Sequence, residues 1–100
     1  MKAIDVAIVL AAHNVQFISV VESEGTIDGM VIINPHVIVR VPKTGDAVNV
    51  MEELPDGHFI VYPATTSIHR TIAKIREIDA RQCAPSAAVV NAITKIGETK

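Results

Sequence analysis

The spacing of apolar residues divides the chain into a central region with strand-like patterns and two terminal regions with helical patterns. In the centre, short apolar or alternating stretches are bounded by Gly, Pro, Asn and Asp, which is typical of strands joined by turns. Because the links between them are short, neighbouring strands are expected to be antiparallel. The pattern predicts a meander of about five strands over residues 15–62, with strands at 15–22, 26–33, 37–41, 47–53 and 58–62.

The first region, residues 2–13, fits two interpretations. Apolar residues recur at helical spacing from Ile4 to Ala11, but alternate positions of the same stretch would suit a buried strand. Asn14 favours the helix, because Asn is second only to Gly as a left-handed residue that ends a helix. We therefore predict a helix over residues 2–13, followed by a strand from Val15.

The last region begins after Pro63 and changes to helical periodicity. A helix is predicted over residues 66–82, with Thr65, Thr66 or Ser67 as its cap and with Glu77 and Arg81 paired one turn apart. Pro85 interrupts the pattern, and a second helix is predicted over residues 86–96. The apolar stripe of this second helix consists of Val89, Val90, Ile93 and Ile96.

Together these elements predict one α+β domain spanning residues 1–100, with helices layered on an antiparallel sheet. One feature does not fit a simple two-layer structure: consecutive residues such as Val31, Ile32 and Ile33 would put apolar side chains on both faces of the sheet. A sheet covered on one side normally has a polar second face. Either the helices divide between the two faces, or the second face is buried against another chain.

Composition narrows the classes of function. The 100 residues are 49% hydrophobic and 20% charged, so one folded core is expected rather than a disordered chain. The formal net charge of −2 and the near absence of aromatic residues argue against nucleic acid as a partner. A single cysteine, Cys83, excludes an internal disulfide and fits a cytoplasmic setting. The apolar stretch at residues 6–12 is too short to span a bilayer, so no membrane contact is expected.

Motifs for catalysis, cofactors or metals are absent from the sequence, so no catalytic residue, cofactor or metal ligand is assigned. Two groups of polar residues remain candidates. The first is an anion site at the start of the helix at 66–82, because free backbone N–H groups there attract negative charge. Its members would be Thr65, Thr66, Ser67, His69 and Arg70. The second is a polar pocket for a ligand, formed by His36, Arg40, His58 and Tyr62.

Three classes of function follow. We favour a small non-enzymatic protein-binding module, which either self-associates as a homodimer or acts as an inhibitor or adaptor of a larger protein. The alternative is a domain that binds or converts a small molecule at a sheet edge or a subunit interface; enzymatic activity stays open, with the balance against it. The third and least favoured is weak nucleic-acid binding through the basic residues of one helix, Arg70, Lys74, Arg76 and Arg81.

Overall fold

The computed structural model describes residues 1–83, and these contain two helices and five strands. Helix α1 spans Ala3–Ala12 and helix α2 spans Ile68–Cys83. The strands between them are β1 (Ser19–Val21), β2 (Gly29–Asn34), β3 (Val37–Val41), β4 (Asn49–Glu53) and β5 (Phe59–Val61). They form one antiparallel sheet in the order β1-β2-β3-β4-β5, so every strand pairs with its neighbours along the chain.

Both helices pack on the same face of this sheet. A row of four paired valines crosses strands β1 to β4 on that face: Val20, Val31, Val39 and Val50. The three central strands contribute their valines to one buried cluster, which also contains Leu10 of α1 and Ile75 of α2. Successive side chains of a strand point to opposite faces. On each strand, the residues directly before and after the valine therefore point away from the helices.

The C-terminus of α1 is closed by a Schellman motif. Asn14 has a left-handed backbone with φ 62°, and its N–H donates to the carbonyl of Ala11. The N–H of Val15 donates to the carbonyl of Leu10 at 2.9 Å, and both side chains are buried. This is the paired hydrogen bonding and apolar contact that end a helix. Val15 therefore belongs to the helix end and not to a strand.

The N-terminus of α1 is capped from a distant part of the chain. Lys2 at the cap position makes no capping hydrogen bond with its side chain. Instead, the two carboxylate oxygens of Glu22 accept hydrogen bonds from the backbone N–H groups of Ala3 (2.8 Å) and Ile4 (3.0 Å). The helix start lies so close to the sheet that a Cβ atom on Gly29 would be 3.1 Å from the Cβ of Ala3. A side chain larger than hydrogen at position 29 would push this helix away from β2.

Helix α2 begins with an ordinary local cap. The side chain of Ser67 accepts a hydrogen bond from the N–H of Arg70 at 3.2 Å, and Thr65 accepts one from the N–H of Ser67 at 3.0 Å. Apolar residues spaced three apart, Ile72, Ile75 and Ile78, are all buried. Thr71 is also buried, and its hydroxyl donates to the carbonyl of Ser67 at 3.0 Å. The other polar residues of α2 lie at its sides and on its outer surface.

The predicted antiparallel five-strand sheet between an N-terminal and a C-terminal helix is confirmed, whereas several boundaries were wrong. The first strand was predicted to begin at Val15 but begins at Ser19, because Val15 closes α1. The second begins at Gly29 rather than at residue 26, because Glu24 and Ile27 pair with each other across a tight turn. The helix predicted over residues 86–96 lies outside the described residues. Within residues 1–83, neither helix is long and apolar enough to cross a membrane.

Replacing Glu22 by Ala is expected to lower the free energy of unfolding by about 1–2 kcal/mol, because two N–H groups at the start of α1 lose their acceptor and the helix dipole loses a negative charge. Glu22→Gln keeps one acceptor oxygen and should lose less. Urea unfolding at neutral pH measures both changes. Glu24→Ala, at an exposed position two residues away, is the matched control; an equal loss in the control would show that the contact with α1 is not responsible.

Candidate functional site

The face of the sheet opposite the helices is the most distinctive surface of residues 1–83. We call it the open face. Its central row crosses all five strands and, apart from Ser19, is apolar: Ser19, Ile32, Ile38, Met51 and Val61. Val21, Met30 and Phe59 extend the apolar surface, and Val61 and Phe59 are 55% and 46% exposed. None of these residues packs into the core cluster beneath the helices.

Charged residues lie on both sides of this central row. Arg40 and Asn49 pair across β3 and β4 on one side, and the Arg40 Nε atom donates to the Asn49 Oδ1 atom at 3.1 Å. Glu53 of β4 lies on the other side, opposite Phe59. Each charge has a loose neighbour: Arg40 Nε is 3.8 Å from Asp28 Oδ2, and Glu53 Oε1 is 3.9 Å from His36 Nδ1. The open face therefore has an apolar middle, with Arg40 and Asp28 at one end and Glu53 and His36 at the other.

A second polar cluster lies at the helix side of β4. Glu52 is almost fully buried, and its Oε1 atom accepts hydrogen bonds from the Tyr62 hydroxyl (2.7 Å) and from Arg81 Nη2 (2.9 Å). The same Arg81 nitrogen also donates to the Tyr62 oxygen at 3.2 Å. The ammonium of Lys74 lies 4.5 Å from the centre of the Tyr62 ring, a cation–π contact. The cluster ties the last two strands to α2.

The electrostatics of this cluster keep Tyr62 as a neutral phenol. Burial raises the pKa of Tyr62, and the hydrogen bond to the Glu52 carboxylate raises it further, whereas Arg81 acts in the opposite direction. The hydrogen bonds to Tyr62 and Glu52 also raise the pKa of Arg81, so this guanidinium stays charged. A phenol with a raised pKa is a poor base or nucleophile near neutral pH. The arrangement serves better to hold elements together than to react.

The predicted anion site at the start of α2 has its hydroxyl groups engaged in capping. Thr65 and Ser67 bind backbone N–H groups, as described above. Thr65, Thr66 and Ser67 line a mostly apolar cleft of about 170 Å³ between α1 and α2, and the acidic residues Asp5 and Asp46 are also among its lining residues. His69 contacts the ring of His13 at 5.9 Å between centroids, and Arg70 is exposed. Anion binding here stays a prediction, and the two carboxylates would oppose it.

The four residues predicted to form a polar pocket lie in separate places. His36 is at the β2–β3 turn beside Glu53, and Arg40 is at the other end of β3 on the open face. His58 lies in the β4–β5 turn, where it binds Asp56 at 2.8 Å and lowers the pKa of that carboxyl. Of the four, only Tyr62 joins the polar cluster around the buried Glu52. The pattern gave no information on which strand ends meet, so it grouped these side chains by sequence position alone.

The basic residues of α2 are largely occupied by contacts within the protein. Arg76 donates to the carbonyl of His13 at 3.1 Å, and Lys74 binds Glu77 at 2.9 Å. Arg81 binds Glu52 instead of the predicted Glu77. A nucleic-acid backbone would have to compete with these contacts, which weakens that alternative further.

Neither metal ligation nor similarity to known proteins assigns a function. In the part of the chain that the structure describes, no group of three or more His, Cys, Asp or Glu residues is positioned to hold a metal ion. The chain has no significant match to a family model, to a curated protein or to a solved structure. A function must therefore be inferred from the open face and the polar cluster.

The raised pKa of Tyr62 can be measured directly, because Tyr62 is the only tyrosine and the chain has no Trp. The near-ultraviolet absorbance of the phenolate should appear above the ordinary midpoint of about pH 10 in the folded protein, and at about that value in urea. A raised folded pKa means that stability is full below the unfolded pKa and falls as pH rises through the folded one. Unfolding measurements should show this loss only in alkali.

Two variants test the assigned causes of this shift. Glu52→Gln should lower the Tyr62 midpoint, because a neighbouring negative charge is removed while most of the burial is kept; Arg81→Met should raise it. Circular dichroism confirms that each variant is folded at the start of the titration. Identical midpoints in the wild type and in Glu52→Gln would contradict the hydrogen bond between Tyr62 and Glu52.

Proposed function

We propose that this chain is a non-enzymatic protein-binding module that self-associates through the open face of its sheet to form a homodimer. The observation that carries the proposal is the central row of that face, in which Ile32, Ile38, Met51 and Val61 follow one another across four strands. An antiparallel sheet with helices on one side normally presents polar residues on the other. A contiguous apolar surface of this kind is typical of protein interaction sites.

A second copy of the chain is the occupant that the charges favour. The open face has Arg40 on one side of its apolar row and Glu53 on the other, so the surface carries both halves of a complementary pair. A two-fold symmetric contact requires such a self-complementary surface, because the same patch supplies both partners. A partner of one dominant charge would leave one of the two ends opposed by like charge.

The size of the surface indicates a weak complex. Five strands about 4.8 Å apart, with lengths from 3 to 6 residues, give a face of roughly 24 Å by 15 Å, or about 360 Å² in projection. Stable complexes bury about 800 Å² of accessible surface on each partner. We therefore expect a dissociation constant in the micromolar range, with the monomer predominating in dilute solution.

A small-molecule function is second, and one observation favours it. The cleft between the two helices is apolar inside and has carboxylates among its lining residues. Its volume of about 170 Å³ is below the roughly 300–1,000 Å³ of typical ligand sites, so it would hold only a few atoms. The residues that line it also cap α2, which gives them a structural role without any ligand.

Replacing Ile38 by Asp tests the proposed function. A charge in the middle of the apolar row would be buried twice in a symmetric dimer, so self-association should weaken by about 100-fold or more. Sedimentation equilibrium over a range of concentrations measures the change, and circular dichroism checks the fold. Val61→Asp, at a more exposed position on edge strand β5, provides a second variant with less risk to folding.

The matched control is Ile8→Asp, which makes the same change at a 60% exposed position on α1, away from the open face. The control should associate as the wild type does. A wild type that stays monomeric at high micromolar concentration would overturn the proposal. The central row of the open face would then bind something else, such as residues 84–100 of the same chain. A contact within one chain would not depend on protein concentration.

A further inference from the structure

We infer that the two copies are related by a two-fold axis that crosses the strands along the row of Ile38 and Met51, so that Arg40 of each copy faces Glu53 of the other. This inference rests on the proposed self-association and specifies the arrangement of the dimer. It follows from the register of the sheet and from the position of the two charges on either side of one apolar row.

The register fixes where the charges lie. Ile38 and Met51 are cross-strand partners in the central row. Arg40 lies two residues further along β3 and Glu53 two residues further along β4, which runs in the opposite direction. Each charge is therefore about 7 Å from the central row, on opposite sides of it. Both side chains project from the open face, and they are 46% and 39% exposed.

Neither charge is fully used within the monomer. Arg40 donates to Asn49 through its Nε atom and forms a long ion pair with Asp28 at 3.8 Å, while within residues 1–83 its terminal nitrogens donate no hydrogen bond. The Glu53 carboxylate has His36 at 3.9 Å, which is beyond hydrogen-bond distance. A guanidinium with free terminal nitrogens and a carboxylate can form a two-bonded pair, which is the strongest geometry for such groups.

Symmetry leaves two simple ways to stack the open faces of two aligned sheets, because the two-fold axis must lie in the plane between them. An axis along the strands keeps each row over itself, which puts Arg40 near Arg40 and Glu53 near Glu53. An axis across the strands inverts the rows about the central one, which puts Arg40 over the end that carries Glu53. Arg40 and Glu53 are then offset sideways by one strand, about 4.8 Å, across sheets about 10 Å apart, which gives a backbone separation of about 11 Å that their two side chains can span.

The second arrangement is favoured because it replaces like-charge contacts by two equivalent ion pairs. It also stacks the apolar row on itself, with Ile38 and Met51 of both copies closest to the axis. The apolar row supplies the attraction, and the charges select the orientation. Salt should therefore weaken the dimer only modestly.

Charge reversal tests this arrangement. Arg40→Glu alone gives a homodimer in which the introduced carboxylate faces the partner's own Glu53, and Glu53→Arg alone gives one in which the introduced guanidinium faces Arg40. Each variant should associate roughly tenfold more weakly than the wild type. An equimolar mixture of the two variants should recover the wild-type affinity, because each of the two facing pairs in the mixed dimer then joins a carboxylate to a guanidinium. The double variant, with both changes in one chain, should also recover it.

The pairs in the mixed dimer follow from the symmetry. One pair joins the introduced carboxylate of the first chain to the introduced guanidinium of the second, and the other joins the unchanged Glu53 of the first chain to the unchanged Arg40 of the second. Both pairs are attractive. An axis along the strands would also make the mixed dimer attractive, but there each single variant would associate as the wild type does and the mixture more tightly than the wild type. Weakening of both single variants, with recovery in the mixture to the wild-type affinity and not beyond it, therefore identifies the axis across the strands.

The mixture needs a control for net charge, because its two components differ in charge by four units. Lys2→Glu and Glu77→Arg make the same changes in net charge at exposed positions of the helix layer. Mixing these two should give no gain over either alone. Sedimentation equilibrium gives the affinities, and native mass spectrometry identifies the mixed dimer by its mass.

The outcomes separate this inference from the proposed function. If Ile38→Asp abolishes the dimer but the charge variants behave as the wild type, the orientation is wrong and self-association stands. If both single variants are weakened and the mixture does not recover, Arg40 and Glu53 do not face each other. A wild type that never associates overturns both proposals.

Discussion

The fold depends on one layer of small β-branched side chains between the sheet and its two helices. Val20, Val31, Val39 and Val50 stand side by side on adjacent strands, so they present an even surface on which Leu10 and Ile75 pack. Because valine is short, the helices lie close to the strands, and at the start of α1 the approach leaves no room for a side chain at Gly29. This single layer determines which face is covered and, by exclusion, which face carries the remaining apolar residues.

The sequence predicted the strongest parts of this arrangement because they depend on local chemistry. The hairpin of β4 and β5 could be predicted from the Pro55-Asp56-Gly57 turn between alternating stretches, and Gly57 has the positive φ that this turn requires. The end of α1 could be predicted from Asn14. The start of β1 could not, because Val15 is apolar for a different reason: it packs against Leu10 as part of the helix cap. Alternation does not separate an apolar residue in a cap from one in a strand.

The polar contacts were less predictable because they join residues far apart in sequence. Arg81 has a carboxylate one helical turn away in Glu77, and the pattern favoured that pair. In the folded protein the buried carboxylate of Glu52 binds it instead, since β4 lies beneath the end of α2. Likewise, His36, Arg40, His58 and Tyr62 share chemistry but not location. The excess of apolar residues on the strands could be seen in the sequence. Their alignment into one row between Arg40 and Glu53 could be recognised only from the strand register, which determines the residues that stand side by side.

The cap on α1 has a consequence for the route by which the chain folds. A ten-residue helix is marginal by itself, and the groups that close its start belong to Glu22, beyond β1. The helix therefore gains its full stability only when β1 has reached the sheet. The sheet itself is assembled from neighbouring strands with short loops, which favours rapid folding. We expect the central hairpins to form first and α1 to become protected against hydrogen exchange last, as one cooperative unit with β1.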